Sequence, residues 1–141
     1  MNDTSALRTI NSYAKKSSFS QGVILMGSGV FVSSGHVGVD EKGDLVTSSL
    51  EDEVIAVFES LRRTLNAAGL GFQHVARVSY YIANLDAEVM DVIRRVRASY
   101  LSAETPPAST AVGITRLPDS DARVEVEVIA VIPVTPTKFG E

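Results

Sequence analysis

The chain has no cysteine, no tryptophan and only two histidines in 141 residues. Without cysteine there can be no disulfide, no thiol nucleophile and no cysteine-ligated metal. His36 and His74 stand far apart in the sequence, so a transition-metal centre is not expected. Positive charge is also scarce: 13 Lys and Arg against 17 Asp and Glu give a net charge of −4, with no basic cluster. Tight binding to a phosphate backbone needs such a cluster, which disfavours a nucleic-acid partner. No apolar run approaches the length that crosses a bilayer, and the polar stretch Met1 to Lys16 lacks the apolar core of a secretory signal. These absences lead to the expectation of a cytoplasmic protein with no cofactor, metal, membrane or nucleic-acid partner.

What is present suits one domain. Apolar residues make up 45% and charged residues 21% of the chain, and this length can bury a core without staples. Residues 1–18 read as a polar N-terminal segment and residues 19–141 as a single domain. Gly22–Met26 and Gly29–Val32 are short apolar runs around Gly27-Ser28, the pattern of a hairpin with a two-residue turn. Strand is expected to continue through Ser33–Val39, past a bend at Gly35. Ser48-Ser-Leu-Glu51 reads as a capping box. The helix it opens carries Val54, Val57, Phe58, Leu61 and Leu65 on one stripe, with Gly69 as its stop. His74–Ile82 is rich in β-branched and aromatic residues, as strands are. Asp86 caps a second helix bearing Val89, Ile93, Val96 and Tyr100, with Glu88 early and Arg94, Arg95 and Arg97 late, the order the helix dipole favours. Pro106-Pro107 ends any helix and extends the chain.

The last third, Thr105–Pro118 followed by Val124–Val131, reads as two strands joined by a polar turn at Asp119–Asp121, with Arg116 on the same strand as Ser109. In the second, alternation puts Glu125 and Glu127 on one face and Val124, Val126 and Val128 on the other. If these two strands pair, Glu125 lies opposite about residue 115 and Ser109 about 20 Å further along, at roughly 3.3 Å per residue. The two residues could then meet only across a subunit boundary. Two helices cannot cover both faces of such a sheet, so both are expected on one face. The other face is too apolar to stay wet, which favours a homo-oligomer.

Five segments in order resemble the RidA/YjgF family of enamine/imine deaminases: Ser18-Phe-Ser-Gln-Gly-Val23, Ser34-Gly-His36, Leu65-Asn-Ala-Ala-Gly69, Pro107-Ala-Ser-Thr110 and Val124-Glu-Val-Glu-Val-Ile-Ala130. The resemblance runs from about Phe19 to Val131. It implies a chorismate-mutase-like α+β domain, a mostly antiparallel or mixed sheet with two helices on one face, assembled as a homotrimer with clefts between subunits. It implies that Glu125 positions the water that attacks an imine carbon, releasing ammonia and a carbonyl compound. The family has arginine, which grips the substrate carboxylate, where this chain has Ser109, and a serine holds a carboxylate poorly. Candidate catalytic residues are therefore Glu125 and His36, the latter in place of the family's glutamine and able to move a proton near neutral pH. Candidate substrate-binding residues are Ser109, Gly35 and Phe19. Each also has a plain reading: a sheet-face glutamate, a structural histidine, a strand serine, a bend glycine, a core aromatic. Arg116 is a weak stand-in for the missing arginine, since alternation puts it on the face opposite Ser109. Two functions stay open, a hydrolase of altered specificity and a non-catalytic small-molecule-binding or regulatory member of the same fold.

Overall fold

The computed structural model describes residues 6–12 and 18–134. Seven strands and two helices follow one another as β1 (Leu7–Ile10), β2 (Gly22–Leu25), β3 (Gly29–Val32), β4 (His36–Val37), α1 (Leu50–Ala67), β5 (Val75–Ala83), α2 (Ala87–Arg97), β6 (Ala108–Ile114) and β7 (Val124–Ile132). The main sheet runs β3-β7-β5-β6, and β4 continues the β3 edge by pairing with β7. All its pairings are antiparallel except β5 with β6, which are parallel and joined through α2. The fold is α+β, as expected.

Both helices cover the same face. Val54, Val57, Phe58, Leu61 and Leu65 of α1 and Ile93 and Val96 of α2 pack on Val78, Tyr80 and Ile82 of β5 and Val124, Val126, Val128 and Ala130 of β7. At one end of the opposite face, β1 and β2 form a two-stranded ribbon. Ala6, Leu7, Val23 and Leu25 pack there on Ala76 and Val131. A register shift between Val75 and Arg77 sets Ala76 out of the ladder, the local effect of a bulge.

The helix ends follow from their sequences. Asp86 accepts from Val89 N–H and caps α2. At the end of α1, Gly69 N–H donates to Asn66 and Leu70 N–H to Leu65. That is a Schellman cap, which needs the left-handed φ of 72° found at Gly69. At the start of α1 the cap is Ser49, not Ser48: Ser49 Oγ accepts from Asp52 N–H at 3.0 Å. Ser48 Oγ donates to the Asp52 carboxylate instead, and Glu51 turns outward to pair with Arg95 of α2.

Three sequence expectations about pairing give way. Within the polar segment 1–18, Leu7–Ile10 is a strand with Leu7 buried; residues 1–5 and 13–17 lie outside the described residues. The run Gly22–Leu25 pairs with that strand rather than with Gly29–Val32. A two-residue hairpin needs positive φ at its turn, and neither Gly27 nor Ser28 has it. Instead Ser28 N–H donates to Ile132 and carries the chain across to β7. Finally, β6 and β7 are not neighbours, because β5 lies between them. The buried β5, apolar on nearly every residue, takes the central place that such strands favour. The connection from β6 to β7 therefore spans two strand spacings, anchored by buried Leu117 and Ala122.

Candidate functional site

The alternation of β7 sends Val124, Val126 and Val128 into the core and leaves Glu125 and Glu127 half-buried on the other face. Glu125 lies opposite Val37 of β4 and opposite Tyr81 of β5. Gly35 closes the edge beside it: a Cβ there would stand 2.6 Å from the Glu125 carboxyl carbon, so this position must be glycine if Glu125 keeps its place. Glu125 accepts no hydrogen bond from any described residue. Glu127 does, from the Tyr81 hydroxyl at 2.6 Å. That bond and the glutamate's charge hold the Tyr81 phenol above its ordinary pKa. Next to this pair, Arg77 donates to Thr110 Oγ1 at 2.8 Å. Val32, Ser33, Arg77, Ser79 and Glu127 line a concavity of about 220 Å³ on the same face. The site thus offers a free carboxylate, a Tyr–Glu couple and a cation, all on the face that the helices leave open.

Ser109 and Phe19 belong to a different neighbourhood. Ser20 N–H and Oγ donate to Pro107 and Pro106, so segment 18–20 runs beside the start of β6 and sets Phe19 at its rim. Ser109 lies opposite Val78 and therefore points to the helix face, where its Oγ accepts from Arg97 of α2 at 3.4 Å. Two strand spacings and three residues of offset put the Ser109 and Glu125 backbones about 14 Å apart, with side chains on opposite faces. The hairpin premise has gone, but the separation of the two residues within one chain remains.

His36 is placed away from both groups. Its Nδ1 lies 2.8 Å from the Ser34 carbonyl and its Nε2 2.7 Å from Thr64 Oγ1. A carbonyl can only accept, so Nδ1 donates to Ser34, while Nε2 and the Thr64 hydroxyl share the second bond. His36 ties β4 to α1, on the face opposite Glu125. Arg116 lies beyond the end of β6, with Nε 3.5 Å from the Leu117 carbonyl. A further hollow of about 770 Å³ at the start of α1 is lined by Ser48, Ser49, Glu53 and Arg123 among others. Its buried carboxylate, Glu53, is already used: it accepts from the Arg123 and Val124 N–H groups and pairs with the Arg123 guanidinium.

Sequence reasoning missed Tyr81, Arg77 and Arg97. Arg97 had a readable signal. It stands one turn after Ile93 and next to Val96, on the apolar side of α2, where a charge needs a reason.

Fold and site together define an α+β domain of the chorismate-mutase-like type, with both helices on one face and a carboxylate stripe on the other. A family model described as Endoribonuclease L-PSP matches residues 9–132. A RutC family protein of Pyrococcus horikoshii is 32% identical over 108 residues, 76% of this chain and 82% of that one. Another, from Saccharolobus solfataricus, is 34% identical over 113 residues, 79% of this chain and 85% of that one. A Rid-family protein from Yersinia pestis superposes with a TM-score of 0.79 at 22% identity, covering 89% of this chain and 98% of that one. RidA from a Psychrobacter species does so with a TM-score of 0.67 at 27% identity, covering 90% and 98%. The chain belongs to the RidA/YjgF family.

Proposed function

We propose that this protein is a RidA-like hydrolase that converts a reactive enamine or imine to the carbonyl compound and ammonia, in clefts between the copies of a homotrimer. The observation that carries this reading is Glu125, a half-buried carboxylate with no described donor, held against Gly35 on the uncovered face. Such a carboxylate can take the proton of a water as that water adds to the C=N carbon. The C=N π electrons become a nitrogen lone pair and the nitrogen is protonated. Collapse of the carbinolamine then breaks the C–N bond, releases ammonia and forms C=O. No cofactor is needed, and the enzyme works in the cytoplasm. Among the described residues no helix is long and apolar enough to cross a membrane.

The trimer is part of the proposal. Val30 and Val32, 56% and 68% exposed, lie on the uncovered face with Glu125 and Glu127. An apolar row of this kind on a sheet face is the mark of a partner surface. Copies packed there would bring Glu125 of one chain towards the Phe19–Ser109 neighbourhood of the next, which one chain cannot do alone. The residue at 109 supports a second reading. A hydroxyl cannot hold a carboxylate with two parallel bonds, and a member that binds a metabolite without turning it over would tolerate that loss.

Ammonia release from freshly generated imines, from 2-iminopropionate to bulkier and ring-derived ones, tests the proposal. Turnover by the wild type and a loss of at least about a hundredfold in Glu125→Gln is the expected result, the scale of a general base. Equal turnover by Glu125→Gln sinks the assignment of Glu125. Silence of the wild type on the whole panel sinks the hydrolase and leaves the binding protein.

A further inference from the structure

Arg97 is 7% exposed, yet no acid among the described residues pairs with it. The other arginines of α2 are engaged: Arg94 with Asp91 and Arg95 with Glu51. A guanidinium carries five N–H donors. Arg97 has two long hydrogen bonds, Nη1 to Ser109 Oγ at 3.4 Å and Nη2 to the Ser18 carbonyl at 3.3 Å. Its Cζ lies 5.7 Å from the centre of the Tyr80 ring. Serine and a carbonyl carry no charge to balance it, and a ring face offers only a weak substitute. Burying a cation without its counter-charge is strongly unfavourable. Below it is a second group in want of a partner: the Tyr80 hydroxyl is buried and hydrogen-bonded to nothing among the described residues. Donors outnumber acceptors here, and negative charge is missing.

We infer that Arg97 is an anion anchor, and that its guanidinium receives the carboxylate of a small monoanionic ligand at the Ser109 end of β6. The ligand carries one negative charge because one cation is offered. Arg77 points to the other face of the sheet, where it donates to Thr110, and Arg94 and Arg95 are paired. Ser109, to which the fork donates, lies on β6, the edge strand of the sheet. Exposure continues along that strand, at Ala111 and Gly113 on the same face as Ser109. Segment 18–20 forms the rim, with Phe19 beside the entrance. A fork supplied from α2 does the work that a serine at 109 cannot. Identifying the carboxylate as that of an imino acid rests on the hydrolase reading; the anion site itself does not.

Titration of the full-length protein with 2-oxobutyrate and with its neutral amide tests the anchor, read by calorimetry and by the arginine side-chain Nε–H resonances of a ¹⁵N-labelled sample. Saturable binding of the carboxylate is expected, with the Arg97 resonance moving along the same isotherm. The amide and the Arg97→Gln variant should each bind at least about tenfold more weakly, and Arg97→Lys, which keeps the charge and loses the fork, in between. Unchanged affinity in Arg97→Gln, with or without a lower Tm, makes Arg97 a structural tie and overturns the inference. So does the absence of saturable binding to the wild type, or an Arg97 resonance that stays still at saturation. The resonance titration decides alone if Arg97→Gln does not fold. Carboxylate binding through Arg97 with no imine turned over keeps the anchor and removes the hydrolase. Turnover with unaltered KM in Arg97→Gln does the reverse.

Discussion

Tyr80 shows how one residue can serve stability badly and a site well. Its ring is part of the core, while its hydroxyl is buried without a hydrogen-bond partner among the described residues. Burial pushes its pKa up to about 12, against the opposing pull of Arg97. Removing an unsatisfied buried hydroxyl relieves its desolvation, so Tyr80→Phe is expected to stabilise the fold by about 1 kcal/mol in urea titration. The sign of the pH effect follows from linkage. The unfolded phenol loses its proton near 10, the folded one near 12, so above pH 10 the unfolded state binds fewer protons than the native state. Stability contributed by the neutral phenol is complete below pH 10 and falls between pH 10 and 12. Comparing urea midpoints at pH 9 and 11 should show a smaller loss in Tyr80→Phe than in the wild type. An equal loss would mean that the phenol titrates normally.

At the scale of the element, α1 tests how closely a cap can be read. Ser48 and Ser49 both precede an apolar stripe and an acid, and the spacing Ser48-x-x-Glu51 fits a capping box as well as Ser49-x-x-Asp52 fits a simple cap. The choice falls on Ser49 because Glu51 reaches Arg95 across the helix pair and is not free to turn back. Ser49→Ala is expected to lose about 1 kcal/mol of stability. Ser48→Ala, which loses an exposed hydroxyl–carboxylate bond, should lose well under half of that. The reverse order in thermal or urea unfolding would restore the capping box. The strands of the last third carry the same lesson. Which face each residue takes was legible, since Glu125 and Val126 alternate as expected. Which strand pairs with which was not, because alternation is a local property and pairing is decided by what covers β5.

For the molecule as a whole, the proposed site exists only when copies meet. Val32→Glu on the uncovered face is expected to convert a species of three chain masses in light scattering into monomer, and to abolish turnover while helix content is retained. A wild type that already runs as a monomer with full turnover would rule out the shared cleft. If each cleft takes Arg97 from one copy and Glu125 from the next, two inactive variants should rescue one another. After mixing Arg97→Gln with Glu125→Gln and allowing subunits to exchange, about a quarter of the clefts hold both wild-type residues. Recovery of activity towards that level is expected. No recovery, with exchange shown by mass spectrometry, places the two groups in the same chain's site or outside it.

Much of this protein was settled by short-range rules that a sequence displays. Helix stripes, the Asp86 and Gly69 caps, the two faces of β7 and the covering of one sheet face by both helices follow from periodicity and composition. The match to the family was legible too, from short motifs in order rather than from periodicity or composition. Tertiary structure decided what depends on distant partners. It inserted β5 between β6 and β7, gave Leu7–Ile10 a partner, and turned His36 towards Thr64, away from Glu125. It also brought Arg97 over Ser109 and Tyr80. The sequence could show that the residue at 109 is a serine. Only packing α2 against the edge of the sheet could show that a guanidinium reaches the same place from a helix, because that contact joins residues whose spacing follows no local period.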